Sequence, residues 1–236
     1  MSAKYSVVVP CYNEEANIPL ILKRFKEVIN RDDIEVVLVN NGSTDDSQNV
    51  FAELLPNFSF AKVVVVVKNQ GYGFGILAGL KECQGDFIGW THADMQTDPA
   101  DLIRAIDIIE ESGCNEKIYV KGNRKGRAIF DQFFTTGMSI FETIYLQTKL
   151  SDINAQPNLF HKSFFKSWQS PPHDFSLDLF VLYTASKMGL ETKRFDVVFP
   201  ERVHGESKWN TGFGSKWKFI KRTIEFSTKL KKEITR

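Results

Sequence analysis

Four polar clusters in this chain each follow directly on a short β-branched run, and their side chains are of kinds that bind ligands. They are Pro10-Cys11-Tyr12-Asn13-Glu14, Asn40-Asn41-Gly42-Ser43-Thr44-Asp45, Lys68-Asn69-Gln70-Gly71 and His92-Ala93-Asp94-Met95-Gln96. Between them they offer carboxylates, amides, hydroxyls, an imidazole and a phenol. In a parallel sheet, ligands bind beyond the carboxyl ends of the strands, so such a sheet gathers all four clusters on one rim. Each cluster also has a plainer reading. Glu14 is a first-turn carboxylate favoured by a helix dipole, Asn41-Gly42 is turn chemistry, and Asp94 and Asp98 can cap the helix that follows. Gly71-Tyr72-Gly73-Phe74-Gly75 does not make a dinucleotide fingerprint, because its spacing differs from G-x-G-x-x-G and it sits in the third strand–helix unit. Gly75 and Gly79 suit tight packing of a helix on a sheet.

The strands that must position these clusters read as near-continuous apolar runs at 5–9, 34–39, 62–67, 87–90 and 118–120, the pattern of strands buried on both faces. Helical periods lie between them. Ile18, Leu22, Phe25 and Ile29 share one helix face, with Asn17 as a cap and Pro19 in the first turn. Asp98-Pro99 opens another helix whose Leu102, Ile103, Ile106 and Ile109 face inward. This alternation predicts a doubly wound, mostly parallel α/β sheet flanked by helices. The second half predicts helices over 127–149 and 175–188, a strand over 193–199, and a basic helix from about Ser215. No linker divides the chain, so one domain is expected over 1–212, in halves 1–120 and 121–212, with a C-terminal basic amphipathic helix over 213–236.

The chain has 236 residues, is 42% hydrophobic and carries a formal charge of +1, enough for a sizeable core and with no global electrostatic partner. The charge is uneven. The segment 216–236 holds eight basic and two acidic residues, against 22 and 27 in the remainder, so a body of −5 carries a tail of +6. That asymmetry points the tail to an anionic surface. Trp217, Phe219, Ile220, Ile224 and Phe226 are interleaved with Lys216, Lys218, Lys221 and Arg222, as in helices that lie on anionic membranes, so a membrane rather than nucleic acid is expected. Phe130, Phe133, Phe134, Met138, Phe141 and Ile144 mark a second greasy helix, for which core packing is the default. Cys11, Cys83 and Cys114 have no metal or disulfide spacing and read as free thiols of a reducing cytoplasm. No signal peptide is expected, and the longest apolar stretch, 63–67, is too short to span a bilayer.

In order and spacing, VVVPCYNEEANI, VLVNNGSTDDS, NQGYGFGILAGL, GDFIGWTHADMQTDP, VKGN and RVHGESKWN resemble the inverting GT-A-type glycosyltransferases of family 2. That family includes dolichol-phosphate mannose synthases and bacterial polysaccharide glycosyltransferases. The resemblance runs to about Asn210. It implies a GT-A-type fold and transfer of a sugar from a nucleotide-diphospho-sugar to a lipid-linked glycan or to polyprenyl phosphate. It further implies Asp94 as the main ligand of Mg²⁺ or Mn²⁺ and Gln96 as a second, with hard oxygens suited to either ion. Relatives read Asp-x-Asp there, and His92 takes the first place: a donor to ribose, a Mn²⁺ ligand or a structural histidine. Pro10, Tyr12, Glu14, Gly71 and Ala93 fall on donor-pocket positions. Asn41 replaces an aspartate that accepts from the nucleobase, and its amide suits a uracil edge better than guanine. Arg202 and Lys208 match a loop that reaches over the donor phosphates, where cations stabilise developing charge.

A hydroxyl acceptor needs a carboxylate base, whereas a phosphate acceptor is already anionic. The resemblance puts Asp178 at that position with Asp174 beside it; equally, Asp178 is a first-turn carboxylate capped by Ser176. Arg124, with Lys121, Lys125 and Arg127, matches the acceptor side, where cations meet phosphate. Relatives that use a phosphate acceptor show a Ser-Gly pair where this chain has Asn154-Ala155-Gln156-Pro157, which favours a hydroxyl acceptor here. A sugar nucleotidyltransferase would carry a Gly-rich basic loop after the first strand, and Pro10-Cys11-Tyr12-Asn13 stands there instead. A non-catalytic carbohydrate-binding relative would fit the departures at His92 and Asn41.

Overall fold

The computed structural model describes residues 3–126, 129–200, 221 and 223–231, the side chains of 129–134 excepted. Its strands are β1 (Tyr5–Cys11), β2 (Ile34–Asn41), β3 (Ala61–Val66), β4 (Phe87–Trp90), β5 (Ile118–Lys125), β6 (Asn158–His161) and β7 (Glu191–Val198). They form one sheet in the order β3-β2-β1-β4-β6-β5-β7. All neighbours are parallel except β6, which runs antiparallel to both β4 and β5. Helices α1 (Ile18–Val28), α2 (Ser47–Leu54), α3 (Tyr72–Glu82), α4 (Ala100–Glu111), α5 (Ile129–Leu146), α6 (Lys162–Lys166) and α7 (Leu177–Lys187) flank it.

Alternation along each central strand splits the core in two. Val8, Val37, Val39, Ile88, Trp90, Tyr119 and Phe160 face the side covered by α3 and α7. Val7, Val9, Val36, Leu38, Phe87, Val120 and Leu159 face the side covered by α1 and α4. Both faces are dry, so the period of two that places side chains does not show as polar alternation in the sequence. Each aliphatic side chain buried this way contributes about 1.5–3 kcal/mol.

The short strand β6 was not expected from the sequence. It fits because its neighbours lack side chains where it passes. A Cβ on Gly89 would strike the Asn158 carbonyl, and one on Gly122 would strike the Gln156 carbonyl. The helix starts also depart from expectation. Asn17 makes no side-chain cap bond to α1; its Nδ2 donates to Glu14 Oε2 at 2.6 Å. Ser176 does not cap α7 through its side chain. Asp174 Oδ1 closes that turn by accepting from the Ser176 amide at 2.9 Å. Asp98 does serve the start of α4, accepting from the Ala100 amide at 2.9 Å, and also grips Arg24 of α1 through two bonds of 2.9 and 3.0 Å.

Of the C-terminal basic helix, residues 223–231 are described as helical. They dock on α5: Ser227 Oγ donates to Glu142 Oε2 at 2.6 Å, and Tyr145 and Thr228 hydroxyls meet at 3.3 Å. Leu230 is buried and Phe226 packs on the core, so Phe226 faces protein rather than outward. Trp217, Phe219 and Ile220 lie outside the described residues.

Candidate active site

The carboxyl ends of β1, β2, β3 and β4 open on one edge of the sheet, and the first three loops there are tied to one another. Asn13, left-handed at φ 58°, donates its amide to Ser43 Oγ at 3.1 Å and accepts from the Thr44 amide at 2.8 Å. The Glu15 amide donates to Asp45 Oδ2 at 3.1 Å, the Asp46 amide to Glu15 Oε2 at 2.8 Å, and the Glu14 amide to Ser47 Oγ at 3.2 Å. Pro10, Tyr12 and Glu14 are half-buried on this edge.

Asn41 is buried at the end of β2. Its Nδ2 donates to the Gly71 carbonyl at 3.0 Å, while its Oδ1 has no hydrogen-bond partner among the described residues. An unmet buried acceptor of this kind costs about 1–3 kcal/mol. Gly71 has φ 118°, a region that disfavours any side chain. A Cβ there would also strike the His173 carbonyl. The close approach at Gly71 is therefore to the 173–174 segment.

After β4, the chain folds back on itself through Met95 at φ 59°. Asp94 is only 6% exposed, and its Oδ1 accepts from the Gln96 amide at 3.2 Å. Gln96 Nε2 donates to the Pro200 carbonyl at 3.0 Å, which leaves the amide oxygen end as the one that can coordinate. Ala93 is buried and His92 half-buried. The His92 ring lies 6.1 Å from that of Tyr72, which stacks on Phe175 at 4.7 Å. Among the described residues, no three His, Cys, Asp or Glu side chains group to hold an ion. One braced carboxylate and one amide oxygen fit Mg²⁺ or Mn²⁺ nonetheless, because such ions take one or two protein ligands and complete their shell with phosphate and water.

Beneath this rim lies a buried polar network that the sequence reading did not isolate. Asp178 is 2% exposed, and Gln156 Nε2 donates to its Oδ1 at 3.1 Å and also meets Tyr72 Oη at 3.1 Å. Asn158 Nδ2 donates to Gln156 Oε1. Lys121, fully buried, donates Nζ to Asn158 Oδ1 at 2.8 Å and to the Ala155 carbonyl at 2.7 Å, and Tyr119 Oη donates to the same Asn158 oxygen. Burial pushes the Asp178 carboxyl up from its ordinary range, opposed chiefly by Lys121 and then by His92. Burial pulls the Lys121 ammonium down to about 7, opposed chiefly by Asp178. The signal available beforehand was Lys121 itself, a cation continuing the apolar run of β5.

The other expected residues fall elsewhere. Asp174 serves the α7 turn and lines an open cleft with Gln70, His173 and Lys229, so it does not join Asp178. Arg124 is held by an acidic partner and lines a cavity with Ser139, Asn154 and Ser176. Its Nε and Nη2 donate to Asp152 Oδ1 at 2.9 and 2.5 Å, its amide to Oδ2 at 2.7 Å, and its guanidinium lies 5.3 Å over Phe199. Lys125 pairs with Asp196 at 3.6 Å. Arg202 and Lys208 lie outside the described residues.

Residues 6–168, well over half of the chain, match the model of a family described as Glycosyl transferase family 2. An undecaprenyl-phosphate 4-deoxy-4-formamido-L-arabinose transferase of Pseudomonas fluorescens is 26% identical over 208 residues, covering 87% of this chain and 60% of the relative. One of Pseudomonas syringae pv. syringae is 32% identical over 126 residues, covering 52% and 37%. The chain thus spans at most about three fifths of the length of these curated relatives. Among solved structures, glucosyl-3-phosphoglycerate synthase from Mycobacterium tuberculosis, in complex with Mn²⁺ and UDP-glucose, superposes with a TM-score of 0.71 at 18% identity. That match covers 95% of this chain and 79% of that one. A second complex of the same enzyme, with Mn²⁺, UDP and glucosyl-3-phosphoglycerate, gives 0.68 at 19% identity over 91% and 76%. These two likenesses are of fold.

Proposed function

This chain belongs to glycosyl transferase family 2, and from that premise we propose that it moves a sugar from a nucleotide-diphospho-sugar to a lipid-linked acceptor at a membrane. The observation that carries the reading is the Asp94 carboxylate, braced by the Gln96 amide on the same rim as the stitched loops after β1 and β2. Asp94, with Gln96, would hold Mg²⁺ or Mn²⁺; a bound ion acts as a Lewis acid that neutralises the departing nucleotide diphosphate. Pro10, Tyr12, Glu14, Gly71, His92 and Ala93 surround the nucleoside. Asn41 stands where relatives place an aspartate that accepts from the base, and an amide suits the single N–H donor on the uracil edge, so UDP is the favoured nucleotide. By the resemblance, Arg202 and Lys208 are the cations expected to meet the phosphates. The solved relatives bound to UDP with Mn²⁺ share this fold.

For the acceptor, the sugar hydroxyl of a lipid-linked glycan in cell-surface polysaccharide synthesis is the leading reading. Two observations support it. Asp178 has its carboxyl pushed up by burial, toward the range useful to a general base. Arg124 and Lys125, the cations that would meet a phosphate, are paired with Asp152 and Asp196. Polyprenyl phosphate is the second reading, favoured by relatives named as undecaprenyl-phosphate transferases.

A thermal-shift series with UDP-, GDP-, CDP- and dTDP-sugars, each with and without Mn²⁺, tests the donor. A UDP-sugar with Mn²⁺ at about 100 times its dissociation constant should raise Tm by about 5–10 °C. No shift with any nucleotide, metal present or absent, sinks the proposal.

The membrane side rests on α5. Among the described residues, no helix is long and apolar enough to cross a membrane. Ile140, Phe141 and Ile144 of α5 are exposed, as is Ile224. Phe141 stacks on Tyr145, over whose ring Lys231 Nζ sits at 4.4 Å, so a cation borders the apolar surface. We expect peripheral attachment there, on the cytoplasmic face. Changing Ile140 and Ile144 together to Asp should cut co-sedimentation with phosphatidylglycerol vesicles by about tenfold or more, since each isoleucine inserted contributes about 1.5–3 kcal/mol. Equal pelleting of variant and parent refutes it.

A further inference from the structure

Lys121 has no evident reason to be a lysine on packing grounds. It is fully buried between Val120 and Gly122 in a sheet, where a methionine would fill a similar volume without the several kcal/mol cost of desolvating an ammonium. What an ammonium adds is direction. It has three donors and no acceptor, so the Asn158 oxygen must face it, as it does at 2.8 Å. The Asn158 amide nitrogen is then turned to the Gln156 oxygen. The Gln156 amide nitrogen is in turn left to face Asp178 Oδ1, at 3.1 Å. Two side-chain amides therefore stand head to tail between a cation and a carboxylate, and at each link of the relay the donor is on the side nearer Lys121, ending with the amide nitrogen that faces Asp178.

The geometry points to Lys121 as a positioning residue that acts through Asn158 and Gln156 to keep Asp178 an ionised, acceptor-only carboxylate. This deepens the reading of Asp178 as the base and rests on it. If Lys121 loses its cation, the Asn158 oxygen keeps only the Tyr119 hydroxyl as a donor, and that hydroxyl can also accept. Both amides are then able to turn over. A turned Gln156 presents its oxygen to Asp178 and favours the protonated acid, which cannot take a proton from a sugar hydroxyl. The groups facing Asp178 are Lys121 and Arg124 from β5, His92 beyond β4, Gln156 before β6 and Tyr72 from α3. Arg124 is held by Asp152, and burial pushes the Tyr72 hydroxyl well above its usual range, so Tyr72 stays neutral near pH 7. That leaves Lys121 as the principal counter-charge.

The experiment is carbon-13 NMR of the full chain labelled at aspartate carboxyls, the Asp178 signal assigned by its loss in Asp178→Asn. In Lys121→Met the Asp178 titration midpoint should rise by at least one pH unit, about a tenfold change in proton affinity. Asn158→Leu, which cuts the chain and spares both charges, should raise it by less. Folding of each variant is checked by thermal unfolding; should Lys121→Met not fold, Asn158→Leu decides. A midpoint unchanged in a folded variant overturns the inference. The base reading fails separately, if Asp178→Asn leaves transfer to a sugar hydroxyl intact while the midpoint in Lys121→Met still moves.

Discussion

Asp94→Asn should lower metal-dependent sugar transfer by about a thousandfold or more while leaving the fold in place. The asparagine is nearly isosteric, and its Oδ1 can still accept from the Gln96 amide, so the turn after β4 survives. What is lost is the one charge by which the rim would hold a divalent cation. Removing a single stabiliser of transition-state charge typically costs about 10²–10³ in rate, and here a whole ion goes with it. The check is nucleoside diphosphate release titrated with Mn²⁺, alongside unfolding by heat. The fold should hold, at a cost of about 1 kcal/mol, the typical value for a point substitution. Turnover within tenfold of the parent at equal Mn²⁺ would remove Asp94 from the metal site.

Asp178→Asn separates the two acceptors. With a sugar hydroxyl as acceptor, loss of the general base should cost about 10²–10⁴ in kcat. With polyprenyl phosphate, already ionised, the loss should stay within about tenfold on the same argument. The measurement is kcat on each acceptor at saturating donor, and equal losses on both would deny Asp178 the role of base. Stability gives a second readout of the same variant. Lys121 has its folded-state value lowered to about 7, below the usual lysine range, so the unfolded chain binds more protons above that pH and stability rises as pH increases through the window. Removing the Asp178 charge lowers Lys121 further. The rise in unfolding free energy should then begin at a lower pH than in the parent; an unchanged profile would mean the two groups do not sense each other.

Much of this arrangement was legible before the fold was known, for one reason. Strands buried on both faces leave long apolar runs, and polar residues that interrupt such runs at strand ends stand out. That is how β1 to β5, β7 and the rim clusters could be read, with ends within a few residues. β6 could not, because four residues with no alternation carry no period, and its antiparallel course depends on what β4 and β5 leave open. Pairings at long range were equally hidden. Arg124 reads as a phosphate contact, and nothing in the sequence tells that Asp152, 28 residues on, holds it. Phe226 reads as membrane-facing until the last helix is seen docked on α5. The cap expected of Ser176 failed because Asp174 offered that turn a better partner.

Gly89 and Gly122 touch no reacting group, yet the reversed strand exists only in the space they vacate. Gln156 and Asn158, one just before that strand and the other at its first position, ride on backbone admitted by two absences on neighbouring strands. The Gln156–Asn158 network is thus anchored by hydrogen atoms where side chains would be. Enlarging either residue would dislodge that network and the proposed base with it, while the loops after β1 and β2 stayed whole. Damage of that kind would pass for a catalytic lesion although its origin is purely one of room.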